Sequence, residues 1–186
     1  TLRKQKKRTA SSMAEQLRLA GPLQVDSFVD GPGIRMVLWT QGCPHHCPGC
    51  HNPQTHDPAG GTLYAVDELI AQIGAEPLQS GLTLSGGEPF EQSAALMPIA
   101  RAARARGLSL WAYSGYTFEQ LVADPERRAL LELLDVLVDG RFVEALKDIS
   151  LRFRGSSNQR LIDMKKTLAS GEIVLLPDLD RKPGQA

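Results

Sequence analysis

The sequence predicts an α/β fold with a mostly parallel sheet. Strand-like and helix-like stretches alternate from residue 21 onward, the strands are apolar on both faces, and the most unusual loops directly follow strands. "IRMVLWT" (34–40) is a β-rich apolar run behind the turn "DGPG" (30–33). "AVDELIAQIGA" (65–75) sets Val66, Leu69, Ile70 and Ile73 on one helical face, with Gly74 as a stop signal. "LTLS" (82–85) is a second strand, ended by Gly86-Gly87. A helix follows within 91–106, with Pro98 expected in its first turn or at a kink. "LSLWAYS" (108–114) is a third strand, 118–134 is helical with a break near Pro125, and "DVLVDG" (135–140) is a fourth strand. "EIVLL" (172–176) reads as a last strand.

These elements make one domain over residues 21–177. Residues 1–20, opening with the like-charged run "TLRKQKKRTASSM", are expected to be a disordered or non-native extension, with Met13 as a candidate true start. Residues 178–186 are expected to be a flexible tail. Twenty-one basic side chains balance twenty-one acidic ones, so net charge favours neither a nucleic acid nor an anionic membrane as partner. No apolar run approaches the ~20 residues that span a bilayer. The three cysteines, odd in number and clustered, suit a reducing cytoplasm.

In open parallel sheets, ligands collect where the strands' C-terminal ends pass into loops. Here those ends carry "TQGCPHHCPGCHN", "SGGEPFEQ", "YSGYT" and "VDGRF", which are expected to converge on one rim. The first holds Cys43, Cys47 and Cys50, spaced C-x3-C-x2-C on a loop rich in proline and glycine. Thiolates this close converge on a shared metal centre. Spacing alone admits an iron–sulfur cluster, or a structural zinc with His45, His46, His51 or His56 as fourth ligand. Three cysteines on a cubane cluster leave one iron without a protein ligand, and an open metal position is where chemistry happens. In the second loop, Gly86, Gly87 and Glu88 read either as a plain strand-to-helix turn or as a backbone that a ligand can approach closely, with carbonyls free to accept from an ammonium group.

Together and in this order, the two motifs resemble the radical S-adenosylmethionine (SAM) enzymes, whose cluster pattern is C-x3-C-x-aromatic-C. That resemblance implies a partial, open (β/α) barrel and a [4Fe–4S] cluster held by Cys43, Cys47 and Cys50. It also implies SAM chelating the fourth iron, with Gly86, Gly87 and Glu88 at its amino group. One electron then cleaves SAM to methionine and a 5′-deoxyadenosyl radical, so no side chain of the protein is itself catalytic. Gly49 departs from the aromatic position, which shifts the expected adenine contact to His51. "DGPGIR", "GCPHHCPGC", "LSLWAYSGYT", "VLVDGRF" and "RGSSNQR" (154–160) further resemble the activating enzymes of glycyl radical enzymes, in particular the branch serving anaerobic (class III) ribonucleoside-triphosphate reductase.

The implied reaction removes a hydrogen from a glycine α-carbon of that large partner, with electrons from a flavodoxin or ferredoxin. Ser114 and Tyr116 are candidates for the SAM carboxylate or ribose, and Asp139 for a ribose hydroxyl or a basic partner, against turn and capping roles. Arg35 is a candidate partner or SAM contact against a salt-bridging role, and Asn158 a branch-specific residue. Trp39 and Trp111 are expected in the core. The alternatives are an activase of another glycyl radical enzyme, a small-molecule radical SAM enzyme of deazapurine synthesis, and a zinc-stabilised interaction module.

Overall fold

Two six-residue strands, β3 (Arg35–Thr40) and β5 (Gly81–Gly86), form the spine of the molecule, a computed structural model that describes residues 15–177. They pair in parallel from Arg35↔Gly81 to Thr40↔Gly86. β6 (Ser109–Tyr113) and β7 (Val136–Asp139) continue the parallel order. The crossovers between them are helical, as parallel neighbours require. α1 (Val66–Ala75) precedes β5, α2 (Ser93–Ala105) links β5 to β6, and the pair α3 (Phe118–Ala123) and α4 (Pro125–Leu131) links β6 to β7. Asp124 separates that pair: its side chain caps α4 by accepting from Glu126 N and Arg127 N, ahead of Pro125 in the first turn.

Both sheet faces are covered, which is why the strands read as apolar runs. One face sets Met36, Leu38, Leu82, Leu84 and Leu110 against the helices. The other sets Trp111, Tyr113, Val136, Val138 and Leu161 against Phe153 and Leu176 from the returning chain. Trp111 is thus core, as expected.

The sheet is mixed rather than mostly parallel. β1 (Gln16–Leu19), β4 (Thr62–Ala65), β2 (Gln24–Ser27) and β8 (Arg160–Asp163) all pair antiparallel, giving the order β4-β1-β3-β5-β6-β7-β8 with β2 also on β3. Loop length explains part of this, because the few residues between β2 and β3 are too short for a parallel crossover. The expected extension over 1–20 is corrected over Gln16–Leu19, where Leu17 and Leu19 are fully buried in β1. Met13, the basic run and 178–186 lie outside the described residues.

"EIVLL" is no strand. Gly171 ends α5 (Met164–Ser170) in a left-handed conformation, and the chain then touches β8 through one bridge, Ile162↔Leu175. Of the two placements expected for Pro98, the first turn is excluded: it lies inside α2, beyond that turn. Among the described residues, no helix is long and apolar enough to cross a membrane.

Candidate active site

The C-terminal ends of the four parallel strands open onto one cavity of about 450 Å³. The loop after β3 contributes Cys43, Cys47 and Cys50, and the turn after β5 contributes Gly86 and Gly87. Ser114 and Gly115 follow β6, and Gly140 and Phe142 follow β7.

The cysteine loop closes on itself through backbone bonds. Gly42 N donates to Thr55 O at 2.8 Å, Cys43 N to His56 O at 3.1 Å and Cys50 N to Cys47 O at 3.1 Å. Left-handed residues bend it, His46 at φ 46° and Gly49 at φ 72°. All three thiols are half-buried and free. Burial pushes the Cys43 thiol up; the backbone near His45 and His46 lowers it, while Glu88 adds to the rise. Asn52 N donates to Cys50 Sγ at 3.4 Å. At Gly49, a Cβ would lie 2.8 Å from the Glu144 carboxyl group. The 3₁₀ turn Glu144–Leu146 therefore fills the space beside the position where the radical SAM pattern has an aromatic ring.

Gly86 and Gly87 are glycines for a structural reason too. A side chain at Gly86 (φ 98°) would overlap the backbone of Thr40, and one at Gly87 the carbonyl of Gly42. Gly87 N donates to Thr40 O and Glu88 N to Gly42 O, both at 2.8 Å, so this turn is stitched to the cysteine loop.

Of the six residues expected to hold a cofactor, Gly86, Gly87, His51 and Ser114 line the cavity. The His51 ring lies 4.9 Å from that of Phe142. Glu88 and Asp139 do not face it. The Glu88 side chain is fully buried beneath the floor and accepts from Phe90 N (3.2 Å), Gly115 N (2.8 Å), Ser114 Oγ (2.9 and 3.0 Å) and His45 Nε2 (2.9 Å). Asp139 is buried against Arg160, whose Nε donates to it at 2.9 Å, and it accepts from Phe118 N at 2.7 Å at the start of α3. Tyr116 gives its hydroxyl to Glu91 Oε1 at 2.7 Å, beneath the Arg127 guanidinium. Arg35 lies at the opposite end of the strands, and Trp39 lines the cavity in part while donating to Gln24 Oε1 at 2.7 Å.

Sequence reasoning left "RGSSNQR" without a role, and the structure supplies one. Gln159 Oε1 accepts from Gly155 N and Ser156 N, while Gln159 Nε2 donates to Gly140 O and Asn158 Nδ2 to Arg141 O. Ser156 Oγ accepts from Val143 N. The segment staples the loop after β7 and makes the wall that carries Phe142, Phe153 and Gly155. His45 entered only as a candidate zinc ligand; its bond to Glu88 had no sequence signal, since only tertiary contact brings the two together.

The donor set fits a cluster. Three thiols face one cavity from one loop, and a cubane binds each thiolate through a different iron.

Sequence comparison agrees with this class of site. Residues 29–162 match the family described as 4Fe-4S single cluster domain. The anaerobic ribonucleoside-triphosphate reductase-activating protein of Escherichia coli (strain K12) is 37% identical over 140 residues, 71% of this chain and 90% of that protein. Its namesake from Enterobacteria phage T4 is 37% identical over 142 residues, 72% of this chain and 86% of that protein. The crystal structure of QueE from Escherichia coli aligns at a TM-score of 0.46 and 18% identity, covering 55% of this chain and 53% of that one. By its loop and family match the chain is a 4Fe-4S single-cluster protein. Within that class it belongs to the family of anaerobic ribonucleoside-triphosphate reductase-activating proteins.

Proposed function

We propose that this chain is a radical SAM activating enzyme that takes a hydrogen from a glycine α-carbon of anaerobic ribonucleoside-triphosphate reductase, leaving a glycyl radical. One observation carries the reading: three free thiols and the Gly86-Gly87 turn meet in one cavity at the ends of parallel strands, in a chain of this family. The cluster and SAM supply, when bound, one-electron cleavage of the sulfonium and the hydrogen-abstracting equivalent. Cys43, Cys47 and Cys50 hold the cluster. The backbone of Gly86 and Gly87 receives the SAM amino group. His51, already against Phe142, packs beside the adenine. Ser114 Oγ donates to Glu88 and accepts from Tyr116 N, which leaves one lone pair for a ribose hydroxyl. Glu88 and Asp139 act from behind the cavity wall, holding the turns that carry these groups.

Phe142, Leu151 and Phe153 make the wall apolar, which keeps water from a reactive radical. The sheet order ends in β4 and β8 without closing, and the four parallel strands are read as part of an open radical SAM barrel. That gap gives a glycine-bearing backbone loop a way in. A glycine suits the chemistry: its α-radical delocalises over the flanking amides, and it has no side chain to exclude. A flavodoxin or ferredoxin in a reducing cytoplasm supplies the electron.

The test is anaerobic reconstitution with iron and sulfide, then EPR of the dithionite-reduced protein with and without SAM. A cluster signal that SAM alters, with release of 5′-deoxyadenosine and a glycyl-radical signal on added reductase, is the expected result. A colourless, zinc-loaded protein that binds no SAM would overturn the reading.

A further inference from the structure

We propose that His45 is a positioning residue of the cysteine loop: its Nε2–H, bonded to the buried Glu88 carboxylate, pins the arm between Cys43 and Cys47 to the turns after β5 and β6, and so sets where the thiolates lie. The inference rests on the reading that these thiols hold a cluster.

Glu88 is the seat. Three of its donors, Phe90 N, Ser114 Oγ and Gly115 N, come from outside the cysteine loop. His45 supplies the fourth, at 2.9 Å. Because an ionised carboxylate only accepts, the imidazole must carry its proton on Nε2. The two side chains are 4% and 0% exposed, so water does not compete for the bond.

The ring is fixed on two further sides. Its edge meets Tyr116 at 4.5 Å between centroids, and it lies flush against Gly115, where any side chain would overlap it. Gly115 has no φ in the left-handed region, so room for His45 is the reason for a glycine there. A histidine free in a surface loop would need neither the glycine nor the buried acceptor. The same bond adds a side-chain link to the backbone bond from Glu88 N to Gly42 O, so the proposed SAM and cluster sites share this anchor.

The experiment compares the reconstituted wild type with His45→Phe and His45→Gln. Phenylalanine keeps an aromatic body against Tyr116 but donates nothing. Glutamine brings an amide N–H near the place of Nε2. Losing a charge-assisted hydrogen bond predicts that His45→Phe surrenders its iron to a strong chelator about tenfold faster or more. Its reduced-cluster EPR signal broadens and loses the change that SAM induces. His45→Gln stays within about twofold of wild type on the same scale. If the phenylalanine variant matches wild type in iron release and EPR, the proposal is wrong. It is also wrong if both variants lose iron equally, because packing and not the bond would then be at work. Should circular dichroism show His45→Phe unfolded, Glu88→Gln is read instead. It keeps the shape and removes the charge, so faster iron release supports the anchor and an unchanged rate overturns it. A wild-type chain that takes up no cluster is seen before any variant is made, and overturns the proposed function itself.

Discussion

At one end of the parallel strands a carboxylate, Glu88, is buried among donors; at the other a guanidinium, Arg35, is buried among acceptors. Arg35 is fully enclosed, and its five N–H groups meet five neutral oxygens: Thr83 Oγ1 and Ser109 Oγ at 2.7 Å, and the carbonyls of Leu82, Ser109 and Pro32 at 2.9, 3.0 and 3.3 Å. Burial pulls it down to about 10, against the distant pull of Tyr113, Asp135 and Asp30. Each charge has a glycine that makes its room. Gly81 leaves space for the Arg35 guanidinium, and Gly115 for the His45 ring that reaches Glu88. The difference lies in what is joined. Arg35 ties β3, β5 and β6 to one another through their first residues, whereas Glu88 ties turns to a loop. The first sets the sheet; the second sets the site.

That contrast is open to attack, and the sharpest test separates function from fold. Cys47→Ala should abolish cluster binding, read as iron per chain after reconstitution, while urea unfolding of the metal-free chain stays within about 1 kcal/mol of wild type. Arg35→Ala should do the reverse to the metal-free chain, costing about 3–5 kcal/mol because it strands buried acceptors and leaves a cavity. Next come the two glycines. Gly81→Ala and Gly115→Ala should each cost about 1–3 kcal/mol by overpacking, but only Gly115→Ala should speed iron release. Equal effects on iron would erase the division between the ends.

A smaller effect is expected at Gly49→Phe, which meets Glu144 and a left-handed backbone, at about 1–2 kcal/mol. Glu144→Ala should recover part of that loss. The smallest concerns Asp135 at the Arg35 end. Burial pushes this carboxyl up, but Lys165, the Leu110 N–H and Arg104 together hold it below the ordinary carboxylate range. Its contribution is therefore complete above the ordinary aspartate pKa and is lost as pH falls through the lowered one. Asp135→Asn should lessen the drop in melting temperature below about pH 4.

The four parallel strands and their helices were legible because their runs are local and apolar on both sides. β1, β2, β4 and β8 were not, because short strands that mix polar and apolar residues carry little pattern of their own; β2 is exposed at three of its four positions. In the site, the cysteines and paired glycines stood out by spacing. Asp139 did not declare whether it faced inward, since a carboxylate after a strand reads alike as a ligand or as a helix cap; it accepts from Phe118 N at the start of α3 and pairs with Arg160, 21 residues away. Glu88 and His45 are 43 positions apart, and no periodicity links them. Arg35, weighed as a contact residue against a salt-bridging one, is a brace bonded to neutral oxygens.

The wall that faces the cysteines is built from residues 142–159, about a hundred positions further along the chain. On a ribosome adding roughly 5–20 residues per second, the three thiols emerge several seconds before the segment that encloses them exists. During that interval they are an open trap for any stray metal or oxidant. Loading the cofactor correctly thus becomes a matter of timing as well as of shape: the cell must keep these thiols reduced and vacant until translation has delivered the far side of the cup.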